Sequence, residues 1–211
     1  MSKVAVGFRV HSGWTALVAV SLEKREPVVL RRERVELVET FSYKFRQPYH
    51  TAEKMGFEQG REFIFRMNSE ARRLAYRALR GVQADLEKSG HSLVQSALLL
   101  ASRRPLPNLE KILASHALIH TADGELFRDA LIRASERCGM QMLRVRDKEL
   151  LERAAHSFGL TEAALLKRVT ELGRPLGAPW SQDEKFAALA AWLALSEGKK
   201  GSRTIQKTES A

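Results

Sequence analysis

Two histidines, His116 and His120, stand four residues apart in a stretch whose apolar residues recur at helical spacing. On a helix this spacing places both imidazoles on one face, where they could bind a divalent metal ion, with Glu125 as a third ligand. A different interpretation treats both as hydrogen-bonded core histidines, because the same face carries apolar residues: Leu109, Ile112, Leu113 and Ala117. The sequence has no H-E-x-x-H pattern here, so both interpretations stay open.

A second set of candidate catalytic residues lies towards the two ends of the chain. His11 opens a predicted hairpin turn that contains Gly13, and Asp183 and Glu184 stand at the start of the last predicted helix. The turn at His11 could bind phosphate or take part in catalysis, because loops placed by a rigid sheet often carry function, and the two adjacent acids could belong to an acidic site. Each also has a structural explanation, because Gly13 suits a tight turn and acids in a first helical turn stabilise the helix dipole.

Four arginines form the largest candidate binding surface. Residues 58–89 predict a long helix, since apolar residues recur at three- and four-residue steps. On the opposite side of this helix lie Arg66, Arg73, Arg77 and Arg80. Guanidinium groups match phosphate oxygens, and a helical row of them can follow a nucleic-acid backbone. A solvated helix face is the alternative.

The elements that must position these residues begin with three strands. Residues 4–10, 15–22 and 28–38 predict an antiparallel meander, because turn-forming residues separate them. The third strand is charged on both faces, which is typical of an edge strand. Residues 41–56 have neither a strand nor a helix period and predict an irregular connector.

The second half of the chain alternates helices and strands. Residues 94–101 predict a buried central strand. A helix is predicted after Asn108, with an interruption or kink at Gly124 before a second stretch. The remaining predicted elements are the rest of that helix (125–137), a strand (140–145), two short helices (148–158 and 161–172), a linker (173–180) and a closing helix from Ser181 to about Leu195. Ser181 and Glu184 have the spacing of a capping box.

Composition places the protein in a broad class. Cys138 is the only cysteine, so no intramolecular disulfide is possible, and a reducing, cytoplasmic location is expected. The start of the chain does not resemble a signal peptide, and the longest apolar run, residues 186–195, has about half the length of a membrane span. We predict one domain over residues 1–196 and a disordered basic tail over 197–211. The net charge of +10 favours polyanionic partners.

The order of elements resembles that of the RNase H-like superfamily, and specifically its Holliday-junction resolvase branch. The resemblance covers about residues 4–195 and includes Gly124, the pair Leu172 and Gly173, and the apolar segment 186–195. It implies an α/β fold, with a mixed sheet of three antiparallel strands followed by parallel strands and flanked by helices. It also implies phosphodiester hydrolysis by carboxylates that hold two divalent cations.

This chain departs from the carboxylate pattern of that family. The family's first carboxylate lies on the first strand in a Gly-x-Asp pattern, where this chain has Gly7, Phe8 and Arg9. The second lies at the end of the fourth strand, where Ala101 and Ser102 stand. Only the closing helix keeps acids at the matching place. Fold alone does not carry function to a new member.

Three functions follow from these observations. The first is a nucleic-acid-binding protein on an RNase H-like fold, without the two-metal nuclease activity and without a required cofactor. The second is a divergent metal-assisted phosphoesterase or nuclease, which would use a divalent metal and the residues His11, His116, His120, Asp183 and Glu184. The third is a protein-interaction module.

Overall fold

A computed structural model describes residues 1–101 and 105–208, with side chains described as far as Gly198. Its five strands are β1 (Ser2–His11), β2 (Trp14–Glu23), β3 (Glu26–Glu36), β4 (His91–Leu100) and β5 (Gln141–Arg146). They form one mixed sheet of order β3-β2-β1-β4-β5. The first three strands pair antiparallel, whereas β4 is parallel to both β1 and β5. The predicted mixed sheet is confirmed, and β3 lies at an edge as its charges indicate.

Eight α-helices lie within the described part of the chain. They are α1 (Tyr43–Arg46), α2 (Pro48–Ala52), α3 (Phe57–Lys88), α4 (Leu109–Leu113), α5 (His116–Arg137), α6 (Leu150–Phe158), α7 (Glu162–Leu172) and α8 (Gln182–Thr208). Helices α3 and α5 share one core with the sheet, and α6, α7 and α8 share a second core with it. Successive residues of β1 alternate between these cores, with Val4 and Val6 in the first and Ala5 in the second.

Helix α8 crosses β1 at Gly7, and the approach leaves no room for a side chain. A Cβ atom at Gly7 would lie 1.9 Å from the carbonyl oxygen of Ala187. Glycine is the residue that allows two backbones to come this close. The crossing holds the first turn of α8 near the carboxyl end of β1.

The carboxyl ends of β1, β4 and β5 meet at one edge of the sheet because these strands are parallel. The hairpin between β1 and β2 lies at the same edge, and Gly13 takes a positive φ of 82° in its turn. Helix α3 begins towards this edge and returns the chain to the opposite one, where His91 of β4 pairs with Ser2. Open α/β sheets bind ligands at the carboxyl ends of their strands.

The connection between α7 and α8 is tied to the edge strand by a single side chain. Arg32 of β3 donates hydrogen bonds to the carbonyl oxygens of Leu176, at 3.0 Å, and Gly177, at 3.1 Å. It also donates to the carbonyl oxygens of Ala178 and Pro179. One guanidinium, with five N–H donors in a planar fork, thus holds four successive carbonyl groups.

Two helical segments differ from the sequence prediction. The irregular connector predicted at residues 41–56 contains the short helices α1 and α2, and Pro48 occupies the first position of α2, where its missing N–H costs nothing. The break predicted at Gly124 lies instead at Ala114 and Ser115, and α5 runs unbroken through Gly124. An isolated glycine costs a helix only about 1 kcal/mol, which the packing of α5 offsets.

The last helix also extends beyond its predicted end near Leu195, as far as Thr208. The residues after Leu195 include two glycines but no proline, so nothing there forbids helical backbone. The predicted disordered tail, residues 197–211, falls largely on side chains outside the described part of the chain, and it stays a prediction together with the domain boundary. Among the described residues, no helix is long and apolar enough to span a bilayer.

Candidate functional site

Arg9 lies between two carboxylates at the carboxyl edge of the sheet. Its Nη1 atom is 2.8 Å from Oδ1 of Asp147, and its Nε atom is 2.8 Å from Oδ1 of Asp183. His11 also reaches this place, with Nε2 3.0 Å from the same oxygen of Asp183. We call Arg9, His11, Asp147 and Asp183 the Arg9 cluster.

The cluster joins three elements that are far apart in sequence. Arg9 and His11 are two residues apart on β1, so both side chains project from one face of the strand. Asp147 starts the 3-10 turn Asp147–Glu149 directly after β5, and Asp183 lies in the first turn of α8. The sequence prediction included His11 and Asp183 but missed Asp147. An acid directly after a parallel strand is the signal that could have identified it.

The positive charge of Arg9 is paired with carboxylates of the protein itself. Its side chain is 22% exposed, its N–H groups face two carboxylates, and its guanidinium lies 5.0 Å from the centre of the Phe186 ring. The carboxylates are more accessible than a buried pair, at 43% exposure for Asp147 and 26% for Asp183. The cluster is therefore a half-buried ion-pair network, intermediate between surface pairs and buried ones.

Glu184, the third predicted catalytic residue, does not join the cluster. Its carboxylate accepts a hydrogen bond from the backbone N–H of Ser181, at the start of α8. This is the contact that the capping-box spacing predicts. The structure thus brings His11 and Asp183 together and leaves Glu184 capping its own helix.

A stack of rings and guanidinium groups adjoins the Arg9 cluster. The ring of His11 stacks on Trp14 with centroids 4.4 Å apart. Arg34 lies 4.1 Å from the centre of Trp14 and 4.8 Å from that of Phe41, whose ring is also 4.4 Å from Arg46. Each guanidinium is attracted to the face of the aromatic ring beside it, and this attraction stabilises the arrangement. Sequence patterning missed this stack because Phe41 and Arg46 lie in the aperiodic connector.

The four predicted nucleic-acid-binding arginines, which we call the arginine row, all lie on the exposed side of α3. Arg73 forms an ion pair with Glu39, and Nη1 of Arg80 donates to Oε1 of Gln83 at 3.0 Å. Among the residues that the structure describes, Arg66, Arg77 and Arg80 have no carboxylate partner. Phe65, beside the row, is 73% exposed and lines a shallow groove with Arg61, Glu62 and Arg66.

The two predicted metal-binding histidines of α5 meet a third histidine from α2. His116 and His120 are exposed, and their Nε2 atoms are 3.0 Å apart. The ring of His50 lies 5.3 Å from that of His116 and 4.4 Å from that of His120, between centroids. One nitrogen of each ring lies within 4.8 Å of the others. We call these three residues the histidine cluster.

A buried carboxylate holds His50 in place. Oδ2 of Asp123 lies 2.5 Å from Nδ1 of His50, and its Oδ1 accepts a hydrogen bond of 2.7 Å from the backbone N–H of Tyr49. His50 is 8% exposed and Asp123 is 4% exposed. Burial raises the pKa of Asp123, and the hydrogen bonds from His50 and Tyr49 oppose that rise. Burial also raises the pKa of the Tyr49 phenol.

Glu125, predicted as the third metal ligand, lies apart from the histidine cluster. Its Oε1 accepts a hydrogen bond of 3.0 Å from Nη1 of Arg128, one turn further along α5. His50 takes the third place instead. Sequence reasoning missed His50 because α2 is a five-residue helix whose position beside α5 depends on tertiary packing. The exposure of His116 and His120 also argues against the core-histidine interpretation.

The sequence matches no protein-family model and no curated protein. Three solved structures are similar in fold, each 12% identical in sequence. Two are of Thermus thermophilus RuvC, one of them in complex with Holliday junction substrate; both cover 94% of this chain and 96% of their own, with TM-scores of 0.53 and 0.51. The third is the yeast mitochondrial Holliday junction resolvase, which covers 97% of this chain and 83% of its own, with a TM-score of 0.50. The fold is therefore RNase H-like, as the order of elements predicts.

Proposed function

We propose that this protein binds nucleic acid through the arginine row and does not cleave phosphodiesters by a two-metal route. The observation that carries the proposal is the exposed row itself, in which three of the four arginines have no carboxylate partner among the described residues. The likeness in fold to a resolvase solved with its junction substrate supports it.

The chemistry of the row suits a phosphate backbone. An exposed guanidinium without an internal ion pair can contact a phosphate without first losing a carboxylate. Successive members of the row lie along one side of α3, so several can meet one strand, and such contacts carry no base specificity. The net charge of +10 adds a long-range attraction that raises the rate of encounter. We therefore expect binding that tolerates many sequences.

The absence of cleavage is proposed from the Arg9 cluster. In the resemblance to the resolvases, the family's first carboxylate corresponds to Arg9. Hard divalent cations need several oxygen ligands, and the two nearby carboxylates, Asp147 and Asp183, both contact the cation Arg9. These residues do not fit a pair of magnesium ions. At the second family position, the side chain of Ala101 offers no ligand atom and Ser102 lies outside the described residues.

A metal-assisted phosphoesterase is less well supported. It would need His11, Asp183 and the two histidines of α5 around one substrate. His11 contacts Asp183, whereas His116 and His120 group with His50. The candidate groups thus divide between two clusters. A binding function does not require these clusters to act on one substrate, and it therefore fits the described geometry better.

The test of binding is its salt dependence. On duplex DNA, each phosphate contact adds about −0.9 to the slope of log affinity against log salt concentration. Changing all four arginines of the row to glutamine should reduce the magnitude of this slope by about 2 to 4. The control changes four exposed arginines elsewhere, with the same loss of charge: Arg25, Arg144, Arg153 and Arg174. Equal slopes for parent and row variant, or equal losses in both variants, would overturn the role of the row.

The test of cleavage uses the same preparations. Branched DNA, single-stranded DNA and structured RNA are incubated with magnesium or manganese, and we expect no turnover. The comparison variant carries Asp183→Asn and Glu184→Gln. Magnesium-dependent turnover by the parent that this variant lacks would overturn the second half of the proposal and leave the binding result untouched.

A further inference from the structure

We propose that the histidine cluster is a binding site for one divalent late transition metal ion of the zinc class. His50, His116 and His120 would each supply one imidazole nitrogen. This site goes beyond nucleic-acid binding, because none of its residues belongs to the arginine row or to the Arg9 cluster.

The separations between the nitrogen atoms suit one small ion. Zinc is bound by imidazole nitrogen at about 2.0–2.1 Å, so tetrahedral ligand atoms lie about 3.3 Å from each other. The Nε2 atoms of His116 and His120 are 3.0 Å apart, and the three candidate ligand atoms all lie within 4.8 Å of one another. Small rotations of exposed rings on α5 would bring the set to bonding distance.

The orientation of His50 is the second, independent observation. Because Nδ1 of His50 faces the Asp123 carboxylate, its Nε2 atom is left to act as the ligand. A carboxylate behind a histidine is the usual arrangement at zinc sites, where it fixes the tautomer and the ring position and raises the basicity of the ligand. The backbone N–H of Tyr49 fixes Asp123 in turn. The buried half of the site is thus built before any ion binds.

The donor set selects the class of metal. Three imidazoles suit zinc, cobalt, nickel and copper, whereas magnesium and calcium prefer oxygen ligands. Histidines 116 and 120 are exposed, so a fourth position would face solvent. Three protein ligands and one solvent position are typical of zinc sites that bind an exchangeable ligand.

The experiment is a titration of the full chain, without a histidine tag and stripped of metal, with Zn²⁺ by calorimetry. We expect one ion per chain, and Co²⁺ should bind at the same place with the visible absorption of a four-coordinate ion. His120→Gln should lower the affinity at least 100-fold. His156→Gln, which removes an exposed histidine of α6 outside the cluster, should leave the affinity unchanged. Asp123→Asn should lower it 10- to 100-fold, because the residue positions His50.

Several results would overturn the site. These are the absence of stoichiometric Zn²⁺ binding by the parent, equal affinity in the His120→Gln and His156→Gln variants, or a preference for Mg²⁺ over Zn²⁺. Since Asp123 is buried, the Asp123→Asn variant is first checked for folding by circular dichroism. If that variant is unfolded, His116→Gln replaces it as the second test of the site. The variant of the arginine row should bind Zn²⁺ like the parent, so failure of either proposal is recognised separately.

Discussion

The Arg9 cluster and the arginine row contain the same kind of side chain in opposite situations. Arg9 contacts two carboxylates, from the end of β5 and from α8, because parallel strands and a crossing helix bring distant parts of the chain to one edge. Arg77 projects from the outer side of α3 and has no carboxylate partner among the described residues. An arginine whose charge the fold leaves unpaired can contact a ligand without first losing a carboxylate. Charge counts from sequence therefore become informative once internal partners are known.

The largest expected effect comes from Gly7→Ala, which should break the Arg9 cluster by moving the helix that carries Asp183. A methyl group at Gly7 would lie 1.9 Å from the carbonyl oxygen of Ala187, so backbone must shift. We expect a loss of about 3 kcal/mol in the free energy of unfolding, at the upper end for overpacking. Urea denaturation followed by circular dichroism measures it.

The matched control is Gly81→Ala, about two turns before the carboxyl end of α3, where a Cβ atom would meet nothing within 4 Å. Alanine is the better helix former, so this change should stabilise the protein by about 0.5–1 kcal/mol. A loss at Gly7 no larger than the effect at Gly81 would mean that α8 has room to move.

An intermediate effect is expected for Arg9→Gln, which leaves Asp147 and Asp183 without their shared cation. The network is half-buried, so the loss of unfolding free energy should be about 1–2 kcal/mol, between the values for exposed and buried pairs. The control, Arg61→Gln, removes an exposed pair with Glu58 and should cost less than about 0.5 kcal/mol. Similar losses for the two variants in urea would remove the contrast between the cluster and the surface.

The smallest effect on stability is expected within the arginine row. Arg77→Gln and Arg73→Gln should each change the unfolding free energy by less than about 0.5 kcal/mol, because both side chains are exposed. Their effects on DNA binding should differ, since Arg73 already pairs with Glu39. We expect Arg77→Gln to reduce the salt slope by about 0.9 and Arg73→Gln to reduce it by less. Equal reductions, measured by fluorescence anisotropy, would show that the Glu39 pair does not compete with phosphate.

Most of the fold follows from local pattern. The first two strands are apolar runs, buried on both faces of the sheet and separated by a punctuating turn. Helix α3 repeats apolar residues over nine turns, and the predicted positions of these elements are confirmed to within a few residues. Short helices carry too few residues to show a helical period, and for this reason the sequence pattern did not predict α1 and α2. The break before α5 lies at Ser115, whose backbone is extended, and not at the glycine that suggested it.

The candidate sites follow from the sequence only where one element supplies them. The arginine row lies on a single helix, so its spacing alone predicted its exposure. The Arg9 cluster and the histidine cluster each combine residues more than 60 positions apart, and their missing members, Asp147 and His50, are brought in by sheet register and helix packing. The separation of residues along the chain does not predict such contacts unless the order and pairing of the strands and helices are known.

The hydrogen bonds that Arg32 donates to the connection before α8 should affect its cleavage by proteases. Residues 177–179 are exposed and include a glycine, which is the kind of segment where nicking usually begins. A protease needs an extended strand whose backbone carbonyls are free to pair with the enzyme. Here the carbonyl oxygens of all three residues already accept hydrogen bonds from Arg32. We therefore expect this segment to resist digestion although it is exposed to water, because one side chain of the edge strand β3 occupies its carbonyl groups just before α8.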